Sequence, residues 1–277
     1  MVEAPRIRIL YENIKFTKNK KIVYAAGASY RKIGIDIVGY TIKKWWFAGK
    51  YIYTRIIHDT LPEYVIRTHM MMYGKIIIND EYDVSPRLIP FLILELNDMT
   101  KLTWYLTQIK ILDPNCSTDM IKSNYTTCSS KKSIDDSFKL MKYDITNNSY
   151  NASDHMKHLL LGKQKHSDDM IVDFLLNQKY FPGVGNILQQ EILYQCKVLP
   201  SRLLITIDNN TLSCLVDALK NLTDKLYQSY LDKQNNKPHD PILQIYHKSY
   251  CPLGHKTQTK IIGYHERRTT WCPICQQ

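Results

Sequence analysis

Residues 181–195 read Phe-Pro-Gly-Val-Gly-Asn-Ile-Leu-Gln-Gln-Glu-Ile-Leu-Tyr-Gln, and this stretch decides how the C-terminal half folds. Pro182 cannot continue a helix arriving through residues 173–178, while Gly183 and Gly185 admit a positive φ and the close approach of another backbone. Asn186 then sits at the start of a new helix running from Ile187, at an end whose N–H groups and dipole can hold a phosphate. Taken alone, the turn reads equally well as an ordinary helix–turn–helix corner without a ligand.

Outward from the turn, helical periodicity runs from about 151 to 232, in HMKHLLLGKQ (155–164), MIVDFLLNQ (170–178), GNILQQEILYQ (185–195) and SCLVDALKNLTDKLYQSYL (213–231). Upstream, residues 22–112 break into short β-branched and aromatic runs such as IDIVGYTI, KYIYTRII, YVIRTHM and FLILEL, which suit an antiparallel sheet system. Ile7, Leu10 and Ile14 predict a helix over 6–16, with Pro5 in its first turn. The segment 113–135 is rich in Ser, Thr, Asn and Asp and reads as a loop or linker, and QNNKPHDP at 234–241 is a second break. The expected class is α+β. An N-terminal antiparallel β-sandwich-like domain spans 1–112, a polar linker 113–150, a helical domain 151–234 and a β-hairpin module 242–277.

The chain has 37 Lys+Arg against 26 Asp+Glu, a net charge of +11. That balance favours a polyanionic partner, with nucleic acid ahead of acidic membranes because no basic amphipathic helix stands out. An apolar content of 44% excludes wholesale disorder. No apolar run approaches the roughly 18 residues of a membrane span, and the N-terminus lacks a signal-peptide core, so the expectation is a soluble intracellular protein.

Seven cysteines argue against a closed disulfide set. Cys116, Cys128, Cys196 and Cys214 are scattered and read as small buried hydrophobes in a reducing compartment. Cys251 and His255 are followed, after sixteen intervening residues, by Cys272 and Cys275, with TQTKIIGYHERRTTW (257–271) making up most of the stretch between the two pairs. Two close N/S pairs joined by a hairpin deliver the tetrahedral set that Zn²⁺ takes. Four protein ligands leave no open position, so the metal is structural, and in so small a module it supplies folding free energy. Lys260, Arg267 and Arg268 on the same hairpin can present cations to phosphate.

Five landmarks, in order, carry a resemblance. They are Met1-Val2-Glu3-Ala4-Pro5, Ala48-Gly49-Lys50, His69-Met70-Met71-Met72-Tyr73-Gly74, PGVGNILQQEILYQ with Leu199-Pro200-Ser201-Arg202, and Ile245-Tyr246-His247-Lys248 leading into a hairpin with Arg267 five residues before Cys272. Together they resemble the Fpg/Nei family of DNA glycosylases over nearly the whole chain, with 75–150 the poorest part. The resemblance implies a helix–two-turn–helix domain over 151–234 and a zinc-finger hairpin over 242–277. It also implies a bifunctional DNA glycosylase/AP lyase of base excision repair that removes oxidised pyrimidines and ring-opened bases.

The family's nucleophile is the α-amine exposed when Met1 is removed. Here that amine belongs to Val2, and an α-amine with pKa of about 7.7–8.0 is partly neutral near pH 7. By resemblance Glu3 shuttles protons, Lys50 approaches the damaged nucleotide's phosphate, and Met72, with Tyr73 beside it, fills the gap left by the extruded base. Asn186 and Arg267 pinch the flanking phosphates, and Glu191 occupies a family position. Damaged DNA, duplex or single-stranded, is the implied partner of a monomer that binds one Zn²⁺ and no membrane. The implied location is intracellular, at the nucleus or another site of DNA replication, or in the cytoplasm if the source is a large DNA virus. The frequent Ile, Lys, Asn and Tyr of an AT-rich genome would fit such a source.

The chain also departs from the family pattern. Val2 gives a primary amine where Pro is usual, and the ligand set is Cys-His-Cys-Cys rather than four cysteines. Arg6 stands where many relatives have Glu, and LTWYLTQIKIL (102–112) lacks the Arg and Phe that help to fill the duplex gap. Two other readings compete. A non-catalytic zinc-ribbon nucleic-acid-binding protein keeps the charge and the hairpin but has no use for the Val2 amine. A helix–hairpin–helix glycosylase shares the Pro-Gly-Val-Gly turn, but it carries a catalytic Asp just downstream, and here none follows Asn186 before Asp208.

Overall fold

A computed structural model describes residues 2–79, 87–115, 121–122, 126–127, 130–238 and 241–277. The chain divides into two compact units: Met1–Val2 with Ile7–Lys139, and Glu3–Arg6 with Leu140–Gln277. Helix α1 (Ala4–Ile14) therefore starts in the second unit and continues in the first.

The first unit holds β1 (Ile22–Ala26), the short α2 (Tyr30–Ile33), β2 (Thr41–Ala48), β3 (Tyr51–Ile57), β4 (Tyr64–His69), β5 (Lys75–Ile78), β6 (Leu92–Leu96), β7 (Lys101–Tyr105) and β8 (Gln108–Leu112). These strands form two antiparallel four-stranded sheets, ordered β1-β6-β7-β5 and β2-β3-β4-β8. One apolar cluster draws on both, with Ile42, Phe47, Ile52 and Ile66 from one sheet and Ile22, Leu94 and Trp104 from the other, together with Val2, Ile7 and Ile14. Along β6 the burial alternates residue by residue, as a strand with one face in the core requires. The sandwich-like expectation holds.

The polar stretch after β8 contains the two-residue strands β9 (Ile121–Lys122) and β10 (Thr126–Thr127) and then a helix, α3 (Ser130–Met141), inside the range expected as linker. The helix folds because it has something to bury. Ile134 and Ser137 are out of solvent, Trp46 Nε1 donates to Ser137 Oγ at 3.0 Å, and the Phe138 ring stacks on Trp46 at 5.1 Å. Cys116 and Cys128 lie outside the described residues.

The second unit is helical: α4 (Ala152–Lys165), α5 (Ile171–Leu176), α6 (Asn186–Gln195) and the 26-residue α7 (Asn209–Gln234). Asn151 caps α4 through Asp154 N at 2.9 Å, and Asp208 caps α7 through Thr211 N at 2.7 Å. Phe174, Phe181, Leu188, Ile192, Leu215 and Leu219 centre the core of this unit. His155 is buried in it, with Nε2 at 2.7 Å from Tyr180 O, and burial lowers its pKa from 6.5 to about 4. Cys196 and Cys214 form a disulfide, against the expectation that both are isolated buried thiols. Cys196 ends α6 and Cys214 sits in the first turns of α7, so the pairing comes from helix packing and has no local signal. The hairpin of β11 (Gln258–Ile262) and β12 (Arg267–Trp271) completes the unit. Among the described residues no helix is long and apolar enough to cross a membrane.

Candidate functional site

The Pro182–Asn186 turn closes around the chain's own N-terminal segment. Gly183 adopts φ +83, and a Cβ there would lie 2.4 Å from Ala4 Cβ; its carbonyl accepts from Ala4 N at 3.0 Å. Gln178 braces the turn, accepting from Gly183 N at 3.0 Å and donating to Val184 O at 2.8 Å. Gly185 lies against Glu3: a Cβ there would be 2.4 Å from Glu3 Oε1. The Glu3 carboxylate then accepts from Ile187 N at 2.9 Å and Leu188 N at 3.0 Å. Two backbone donors at the positive end of α6 thus satisfy this buried acid.

This corrects one expectation. The Ile187 and Leu188 N–H groups at the opening of α6 are engaged by Glu3, so these two do not wait for a phosphate. What the glycines admit is Ala4 at Gly183 and the Glu3 side chain at Gly185.

Asn186 directs its Nδ2 to Arg268 O at 3.0 Å, while its buried Oδ1 has no hydrogen-bond partner among the described residues. Gln190, one turn on, donates to the same carbonyl at 3.1 Å and accepts from Thr270 N at 2.8 Å. The two amides thus satisfy the outward-facing edge of β12. Glu191 is fully buried and accepts from Gln244, Ile245 and Tyr246 N at 2.8, 3.0 and 2.8 Å. Its role is to anchor the segment that enters the hairpin. Arg267 and Arg268 are exposed on β12.

At the base of the hairpin, the ligand atoms of Cys251, His255, Cys272 and Cys275 all lie within 4.8 Å of one another. His255 Nδ1 is 3.2 Å from Cys275 Sγ and 3.7 Å from Cys251 Sγ, and Cys251 Sγ is 4.0 Å from Cys275 Sγ. A tetrahedral Zn²⁺ with bonds of about 2.0–2.3 Å has ligand–ligand edges of roughly 3.5–3.8 Å, so the donor set and its size fit that ion. Burial and a hydrogen bond to Cys251 keep the Tyr194 phenol protonated beyond its usual range. A phenol that donates to the Cys251 sulfur supports it as a candidate ligand, a contact that the spacing of the four residues alone does not reveal.

In the first unit, Gly49 at φ +58 and Lys50 make the two-residue turn between β2 and β3, so Lys50 sits just ahead of the strand it was expected to open. His69 pairs with Tyr51 across the sheet, its ring 4.8 Å away, and the Arg67 guanidinium lies 5.2 Å over the Tyr51 ring. Burial, and then the charges of Lys50 and Arg67, hold His69 below the usual imidazole range. Its neutral ring accepts from Met71 N at 3.3 Å. That contact and Gly74 N→Met70 O at 2.8 Å shape a tight turn. Met70 points into the core, while Met71, Met72 and Tyr73 are 51, 46 and 64% exposed. They line a groove of about 670 Å³ with Leu106, Thr107 and Ile109. Exposed apolar side chains on a braced turn have the form of a wedge.

Comparison with known proteins places the fold and the sequence among known relatives. Endonuclease 8-like L720 of Acanthamoeba polyphaga mimivirus is 52% identical over 276 residues, covering 100% of both chains. Mouse Endonuclease 8-like 2 is 34% identical over 106 residues, 37% of this chain and 30% of its own. A crystal structure of a viral DNA glycosylase superposes with a TM-score of 0.93 at 51% identity over 100% of both chains. Lactococcus lactis formamidopyrimidine-DNA glycosylase, bound to DNA containing an abasic site, shares the fold with a TM-score of 0.73 at 19% identity over 99% of both chains. No family model matches the chain. Identity at half of all positions over two full lengths settles the relationship: the chain belongs to the Endonuclease 8-like, or Nei-like, family of DNA glycosylases.

Proposed function

We propose that the protein is a bifunctional glycosylase/AP lyase of base excision repair, acting as a monomer on oxidised pyrimidines and ring-opened bases in DNA. The observation that carries the reading is Glu3, an acid covalently next to Val2 and held at the start of α6 by Ile187 and Leu188 N–H. Removal of Met1 frees the Val2 amine, and the buried Val2 side chain anchors the residue that bears it. The amine attacks C1′ of the damaged nucleotide, and the C1′–N bond breaks with its electron pair leaving on the base, which takes up a proton. Glu3 carries protons between the amine, the opening sugar and the departing base. The resulting imine acidifies the C2′ proton, whose removal expels the 3′-phosphate and cuts the strand.

Lys50, Asn186 and Arg267 act on the phosphates around the extruded nucleotide, and Met72 and Tyr73 occupy the space it leaves. Cys251, His255, Cys272 and Cys275 hold one structural Zn²⁺, which keeps the hairpin folded and takes no part in the chemistry. The reaction belongs where DNA is replicated inside the cell.

Borohydride trapping on an abasic oligonucleotide, followed by mass mapping, tests the assignment. The expected adduct is on a peptide beginning at Val2, and an N-terminal tag abolishes it. Equal trapping by the tagged chain would overturn it. DNA binding without any trapping would favour the non-catalytic reading.

A further inference from the structure

Three of the places at which the hairpin is fastened bear on its position, and one of them is the cysteine/histidine cluster. A second is the pair of amides on α6, Asn186 and Gln190, along the edge of β12. The third is at the opposite end, where the tip meets α5. Asp173, in the first turn of α5 and 1% exposed, accepts from Tyr264 N and His265 N, both at 3.2 Å. Burying a carboxylate is costly unless it is hydrogen-bonded, and among the described residues it is these two tip amides that meet it. Gly263 makes the approach feasible: at φ +76, a Cβ there would lie 2.4 Å from both carboxylate oxygens. Ile262 pairs with Arg267, so Arg267 is the first β12 residue after the clamped turn.

We infer that Asp173 is a positioning residue for DNA binding, a latch that fixes the hairpin tip and so presents Arg267 to a phosphate before DNA arrives. The inference rests on the DNA reading above. Held only at the cluster and along one edge, the tip is free to pivot, and each encounter has to pay for ordering it. A latch removes that cost in advance. The contact between Arg267 and the phosphate is the same in the complex with or without the latch. Loss of Asp173 therefore lowers affinity but leaves the number of neutralised phosphates unchanged.

The test compares wild type, Asp173→Ala and Asp173→Asn, all holding zinc, on an abasic-analogue duplex across a salt series. Asp173→Ala should weaken binding about tenfold, the scale of one or two side chains' ordering. The slope of log K against log salt should stay at the wild-type value, and the single-turnover trapping rate at saturating DNA should not change. Asp173→Asn keeps a carbonyl acceptor and should recover most of the affinity. Amide exchange at Tyr264 and His265 should accelerate in Asp173→Ala without DNA present. Wild-type affinity in Asp173→Ala would overturn the latch. So would equal defects and zinc loss in Asp173→Ala and Asp173→Asn, which mark a purely structural acid. A wild-type chain that binds no DNA refutes the functional reading instead, while the exchange experiment still reports on the latch.

Discussion

Gly185→Ala is a one-carbon change that should disarm base excision with little effect on the fold. Gly185 has φ −130 and ψ −164, extended backbone that alanine adopts freely. The obstacle is Glu3, whose Oε1, Cδ and Cγ would lie 2.4, 2.7 and 2.9 Å from the new methyl group. Restoring an ordinary contact of about 3.4 Å moves the carboxylate by about 1 Å. That displacement lengthens the 2.9 and 3.0 Å bonds from Ile187 and Leu188 N beyond useful range. An acid displaced by 1 Å costs on the order of 10²-fold in rate, and the full contribution of a general acid/base is about 10²–10⁴-fold.

Single-turnover removal of an oxidised base should therefore fall about 10²-fold. Cleavage at a preformed abasic site should fall far less, because no base has to be expelled. Gly183→Ala is the contrasting control: its φ of +83 and its contact with Ala4 Cβ make it destabilising as well as inactivating. Base removal at the wild-type rate by Gly185→Ala would refute the role given to Glu3. Equal loss on both substrates with an unchanged melting point would refute the argument from displacement.

Two further outcomes follow from the second unit. Burial holds His155 at about 4 instead of 6.5, so the unfolded chain takes up its proton first as pH falls. Its contribution is complete above about pH 6.5 and is lost towards pH 4, about 3 kcal/mol in all at 1.36 kcal/mol per unit. Urea midpoints at pH 7 and 4.5 should converge in His155→Gln relative to wild type, and parallel pH profiles would count against the burial argument. Exhaustive chelation should remove one zinc per chain and weaken DNA binding, as should His255→Ala; full affinity in a metal-free chain would exclude the hairpin from the interface.

The α+β class, the two antiparallel sheets and the helical second half are all legible in the sequence, because periodicity of 2 or 3.6 survives wherever one face is buried. The Cys251–Cys275 cluster is legible because its ligands are paired at short spacing. Helix α3 escaped notice because few of its residues are apolar, and Ser137 and Phe138 earn their place by meeting Trp46, 91 residues away in the case of the hydrogen bond. The occupant of the α6 N-terminus was equally hidden. The glycines announce that something approaches, but nothing local says that it is Glu3, 184 residues upstream of Ile187. Asp173 reads as an unremarkable first-turn acid until the tip of a hairpin 91 residues later is seen to close on it.

The assignment of Glu3–Arg6 to the unit built mostly from Leu140–Gln277 bears on how the protein is made. The acid leaves the ribosome at the very start, yet its two backbone donors belong to residues 187 and 188. At 5–20 residues per second, translation separates them by roughly 10 to 40 s. During that interval a nascent chain can assemble its β sheets but not the seat for its carboxylate. A truncated product therefore lacks the seat for the acid proposed here to carry protons, however well its sheets fold. Late closure of this long loop works as a check on progress: the acid is seated only in a polypeptide carried past residue 188.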